Sequence, residues 1–185
     1  MKNKQIFTST FTIILISSII FFMADQPSSS ACILLLGKKP KLDMEISPKI
    51  PLFNPEKDGY FYPGSPKITK YLKIINVGNL PFRICMINAT FEGDTHLATG
   101  LRIEILELGR GIWEKSNLLY NGTLSNLGDD VKVYGKRVVP PKGSVMLQIS
   151  VWMPPTAGNE YQGLTVTADI SITVCFPPFP GRMKC

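Results

Sequence analysis

One histidine, His96, stands in the whole chain of 185 residues. A zinc hydrolase draws on several imidazoles, and a Ser-His-Asp or Cys-His site on one, so catalysis of either kind has almost nowhere to reside. No His-Glu-x-x-His stretch is present to hold zinc and activate water. The 4 cysteines are nowhere spaced as C-x-x-C, which removes zinc ribbons and thioredoxin-type redox pairs. No basic run is interleaved with aromatics in the manner of a nucleic-acid groove, although the net charge is +6. That scattered excess suits a weak association with an anionic cell wall or membrane surface. No segment sustains a helical period, and residues 117–127 are ambiguous. These absences lean away from an enzyme, from a cofactor and from nucleic acid.

What is present is a core and many turns. A hydrophobic fraction of 44% with 10 Phe, 6 Tyr and 2 Trp is too rich for a disordered chain. The 15 Pro and 15 Gly favour short elements joined by turns. At the N-terminus Lys2 and Lys4 precede an apolar stretch over residues 11–23, and Ser29 and Ala31 supply the small residues of a cleavage site. The expectation is a signal peptide over residues 1–31, removed by a signal peptidase, and hence a secreted chain at the cell surface or in an extracellular matrix. Two other readings of the same stretch stay open: a retained N-terminal anchor and a lipidated Cys32. The rest divides into an N-terminal strand and proline-rich linker (32–66), a strand-built core (67–176) and a proline-rich tail (177–185).

Alternation with a period of two recurs from Leu42 onward. Leu42, Met44 and Ile46 share a face; so do Ile68, Leu72 and Ile74; Phe82, Ile84 and Met86; Leu101, Ile103 and Ile105; and Val145, Leu147, Ile149 and Val151. The longest row runs Leu164, Val166, Ala168, Ile170, Ile172 and Val174. Such rows mark half-buried strands. Pro-Gly and Pro-Pro turns before them, with no alternating helices, predict an all-β, two-sheet antiparallel sandwich. Export lets cysteines oxidise, and four of them allow three connectivities. Cys85 and Cys175 both fall in expected strands and are the candidate disulfide across a sheet.

The chemistry-bearing stretches each have a plainer reading. Glu92, Asp94 and His96 gather carboxylates beside the imidazole, yet the stretch reads as a solvated turn. Asp129 and Asp130 suit calcium or, more simply, a solvated loop. Gly109 to Gly111 lacks the Gly-Lys-Ser/Thr ending of a phosphate loop. Trp113 and Trp152 suit a ligand patch on a sheet face or ordinary edge packing. Tyr161, between Gly158 and Gly163, is placed to pin a loop by a hydroxyl-to-backbone bond, as a tyrosine corner does.

Several landmarks recur together: the strand at residues 42–46, the turn at Tyr62, Pro63 and Gly64, a strand from Lys67 to Asn76, the turn through Gly78 and Asn79, and the run from Gly158 through Tyr161 to Gly163 ahead of a long strand. In that order they resemble the TasA/camelysin family of exported bacterial biofilm-matrix proteins. The likeness spans about residues 40–176 and is most specific at residues 158–163. It implies a jelly-roll-like sandwich that forms extracellular fibres, alone or with related matrix proteins, by inserting the N-terminal strand of one subunit into the next. Leu42, Met44 and Ile46 would be the donor residues. The four cysteines, the insert at residues 117–136 and the proline-rich end depart from that pattern. The metal-dependent proteolysis credited to camelysin-type proteins does not carry over, for want of the zinc motif. Strand donation is also sound physically, because an alternating strand ahead of Pro48, Pro51 and Pro55 can complete a neighbour's edge, and head-to-tail insertion does not close. The alternative is a monomeric surface-binding or adhesion module.

Overall fold

The computed structural model describes residues 10–14 (backbone only), 39–48, 52–110 and 114–177. The remainder of the expected signal peptide, Cys32, Trp113, Cys185 and the tail beyond Pro177 lie outside the described residues. Among the described residues nine strands form: β1 (Thr10–Ile14), β2 (Met44–Ser47), β3 (Ile68–Asn76), β4 (Arg83–Gly93), β5 (Arg102–Glu107), β6 (Asn117–Thr123), β7 (Val131–Lys132), β8 (Ser144–Trp152) and β9 (Thr165–Cys175). Short helical turns described between them are α1 (Pro55–Asp58) and α2 (Thr95–Gly100), with 3-10 turns at Ser125–Asp129 and Asn159–Tyr161.

The strands make the expected two-sheet sandwich. One sheet has the order β2-β3-β8-β5-β6 and is antiparallel throughout. The other has the order β1-β9-β4-β7; its β9, β4 and β7 are antiparallel, and β1 lies parallel to β9. The buried rows face inward from both. Leu72 and Ile74 of β3, Ile103 and Ile105 of β5, and Val145, Leu147, Ile149 and Val151 of β8 join Val166, Ala168, Ile170, Ile172 and Val174 of β9 in a single core. Each such large aliphatic side chain taken from water contributes about 1.5–3 kcal/mol.

The alternation expected for β4 holds only to Ile84. Register moves from Ile84 opposite Val174 to Met86 opposite Thr173, leaving Cys85 as an extra, bulged residue. A bulge flips the phase of everything after it. Phe82 and Ile84 point inward before it, then Ile87 and Ala89, while Met86 turns outward. The bulged Cys85 meets Cys175 in a disulfide with a Cα–Cα distance of 5.9 Å and a sequence separation of 90. The expected pairing of these two cysteines is thus present, between neighbouring strands of one sheet.

Candidate assembly site

The candidate donor segment pairs within its own chain. β2 lies on the outer edge of the five-stranded sheet, with Met44 opposite Asn76 and Ser47 opposite Lys73 of β3. Met44 and Ile46 are buried, while Leu42 is half-buried and packs against the core. The lead-in is gripped by the turn that follows β3. Val77 and Gly78 donate their N–H groups to the Asp43 carbonyl, each at 3.2 Å, and Asn79 and Leu80 donate to the Lys41 carbonyl at 3.0 and 3.3 Å. The Asn79 side chain completes the grip, accepting from Lys41 N at 2.6 Å and donating to the Lys39 carbonyl at 2.8 Å. Gly78 is where the two backbones come closest. A Cβ there would stand 2.7 Å from Asp43 N and closer still to the Lys41 oxygen, so a side chain does not fit.

Asn76 supports the same turn from inside. Its side chain is fully buried, donates to the carbonyls of Leu80 (2.8 Å) and Val139 (3.0 Å), and accepts from Gly78 N (3.0 Å). A buried amide can be afforded there because its partners are backbone groups that also need satisfying. The segment at residues 76–80 was legible as a turn, but its hold on β2 was not.

Tyr161 sits at the opposite end of the sandwich. Its ring rests on Gly100 at the end of α2, where a Cβ would be 2.7 Å from the ring, and stacks on His96 with centroids 5.0 Å apart. The hydroxyl lies 3.4 Å from Thr99 Oγ1, a side-chain contact where the sequence pointed to the backbone. Gly158 precedes the 3-10 turn that carries Tyr161, and Gly163 follows it with φ +75°. His96 is therefore part of a loop anchor. Asp94 joins it by accepting from Thr165 N (3.2 Å), which ties the end of β4 to the start of β9. Among the described residues, no three His, Cys, Asp or Glu side chains gather to hold a metal ion. Asp130 accepts instead from the Asn88 side chain.

Trp152 does lie on the outward face of its sheet, half-buried, with the Lys67 ammonium 4.6 Å from its ring centroid. Lys67 also pairs with Glu104 at 2.6 Å, so two attractions fix the lysine over the indole. Tyr71 on the same face is 55% exposed. Glu107 was passed over in reading the sequence. It is 3% exposed, and its Oε2 accepts from Lys136 N (2.8 Å) and Asn117 Nδ2 (3.3 Å). The carboxylate thereby clips the strand-like segment before β8 onto the end of β5. Only a polar residue inside an otherwise apolar alternation could have marked it, and Glu107 occupies such a place after Ile103 and Ile105.

The chain matches no protein-family model, and no curated protein resembles it significantly in sequence.

Proposed function

We propose that the chain is a non-enzymatic, secreted structural subunit of an extracellular fibre or matrix, joined to its neighbours by exchange of the segment at residues 41–47. The carrying observation is the position of β2. It is a four-residue strand on a sheet edge, between an N-terminal arm and a proline-bearing connector, yet it contributes Met44 and Ile46 to the core. A strand so placed can leave its own sheet and fill the identical slot of a second copy, where it makes every bond it lost. Exchange of identical elements costs little, and when it runs head to tail it gives filaments. The order of landmarks shared with the TasA/camelysin family supports the same reading, as does the signal-like N-terminus for export.

Electron microscopy of residues 32–185 beside a chain beginning at residue 48 tests it. Filaments from the first and none from the second are expected; two preparations free of filaments would end the reading. In that event the exposed Tyr71 and the Trp152–Lys67 pair favour the surface-binding module, with the outer face of the five-stranded sheet as its contact.

A further inference from the structure

β9 becomes an edge strand once β1 is removed, and it differs from the edge strands β2, β6 and β7. β7 has two residues, β2 has four and is followed by Pro48, and β6 is broken by a register shift opposite Ile105/Leu106. Those are the devices that keep edges from pairing with other chains. β9 has eleven residues, no proline, no lysine and one charge, Asp169. β4 occupies its inner edge along the whole length. On the outer edge β1 covers only residues 165–169, and residues 170–175 have no strand beside them among the described residues. β1 itself comes from the segment expected to be removed on export.

The sequence of β9 is also close to a palindrome. Centred on Ile170, an antiparallel copy sets Val166 against Val174, Thr167 against Thr173, Ala168 against Ile172, and Asp169 against Ser171. Residues opposed in an antiparallel pair share a face. The buried row therefore continues across the junction, and threonines pair with threonines on the outer face. Shifting the centre to Asp169 would oppose the two carboxylates. A second observation concerns Asp169 itself: with β1 alongside, its Oδ1 is buried without a hydrogen-bond partner, and a second copy taking the place of β1 would cover it again. Burial, and then the Glu92 carboxylate nearby, hold this carboxyl above its ordinary range. In the centred register a hydroxyl from the second copy stands across from it.

We infer that, once the N-terminal segment is removed, two copies of this chain pair antiparallel along β9, centred on Ile170, with Asp169 of each copy receiving the Ser171 hydroxyl of the other. The contact is a two-fold one that closes on itself, so it is a different interface from the head-to-tail exchange of β2. It rests on removal of the N-terminal segment and not on fibre formation. In a fibre it would join filaments side by side.

The test uses residues 32–185, which hold every buried core residue described, from Met44 to Val174. Beginning that chain at residue 48 removes the exchange together with Met44 and Ile46 of the core; with its remaining strands shown intact by circular dichroism, it leaves the β9 contact, so the two interfaces fail separately. Sedimentation velocity should show a concentration-dependent dimer for the shorter chain, and the longer chain should show the same contact as side-by-side pairing of its filaments in electron micrographs. Ser171→Asp places a carboxylate opposite Asp169 twice per dimer and should weaken it about tenfold; Ser171→Lys should tighten it by a similar factor. The double variant Asp169→Lys with Ser171→Asp should restore dimerisation. A monomer at all concentrations, or Asp and Lys variants that shift the equilibrium in the same direction, would overturn the proposal. Circular dichroism of each monomer separates loss of the contact from loss of the fold.

Discussion

Asn76 carries more of the structure than any other polar side chain described. Its amide uses both ends, holding the buried Val139 carbonyl and the half-buried Leu80 carbonyl and Gly78 N–H. Asn76→Ala removes all three bonds, each worth about 0.5–1.5 kcal/mol net, and leaves Gly78 N with the Asp43 carbonyl and Val139 O with Phe82 N, so the Leu80 carbonyl is the group left bare. We expect a net loss of about 2–4 kcal/mol, read as a lower urea midpoint at an unchanged slope. Asn79→Ala is the comparison. Its bonds to Lys39 and Lys41 are exposed, so water replaces them and the midpoint should move far less. A loss for Asn76→Ala no larger than for Asn79→Ala would contradict the assignment. The alternation of β3 puts Asn76 in phase with Leu72 and Ile74 on the buried face, while Asn79 lies beyond the strand; what the sequence does not show is which backbone groups the inward amide holds.

Among the elements, those with clean alternation were legible. Residues 145–151 and 166–174 reach the structure as β8 and β9 with their apolar rows buried as expected, because every second residue faces one core. β4 was misphased beyond Ile84 because a bulge has no compositional mark. β6 stayed ambiguous for a related reason: Leu119 is the extra residue at its register shift, between Leu118 and Tyr120, and Gly122 breaks the row. The turn α2 escaped notice because it is only six residues, Thr95–Gly100, too short for a helical period to show. The Cys85–Cys175 pair was foreseen from strand placement, whereas the clamp on β2 was not, since it joins residues 39–43 to 77–80 through backbone groups common to every sequence. That clamp can be tested at Gly78. Gly78→Ala pushes a methyl group into Lys41 and Asp43, and overpacking of this kind costs about 1–3 kcal/mol. The expected signature is local: amides of residues 41–47 and of the β3 edge lose hydrogen-exchange protection, while β8 and β9 keep theirs. Uniform loss across all strands would mean that the contact does not act on β2 in particular.

At the scale of the molecule, the chain passes between sheets after β1, β3, β4, β6, β7 and β8, so most of the core joins residues far apart in sequence. Such an architecture depends on long loops being closed, and pattern reading does not see which strands will be neighbours. The disulfide acts at this scale. It ties β4 to β9 across a separation of 90 residues, and a cross-link of that span removes much of the freedom of the unfolded chain. The folded chain needs it less, because Ile84, Ile87, Ile172 and Val174 hold the same two strands together in the core. Replacing Cys85 and Cys175 by Ala should therefore leave the native circular dichroism in place while lowering stability by about 2–5 kcal/mol. The contribution is isolated in a chain carrying Cys32→Ser and Cys185→Ser, where the β4–β9 pair alone remains to be reduced. Adding a thiol reductant to that variant should lower its urea midpoint as far as the double alanine substitution does in the same background, and the alanine protein should not respond to the reductant. An equal midpoint with and without reductant would mean that the bridge contributes nothing, and that the apolar rows of β4 and β9 set the stability of this sheet unaided.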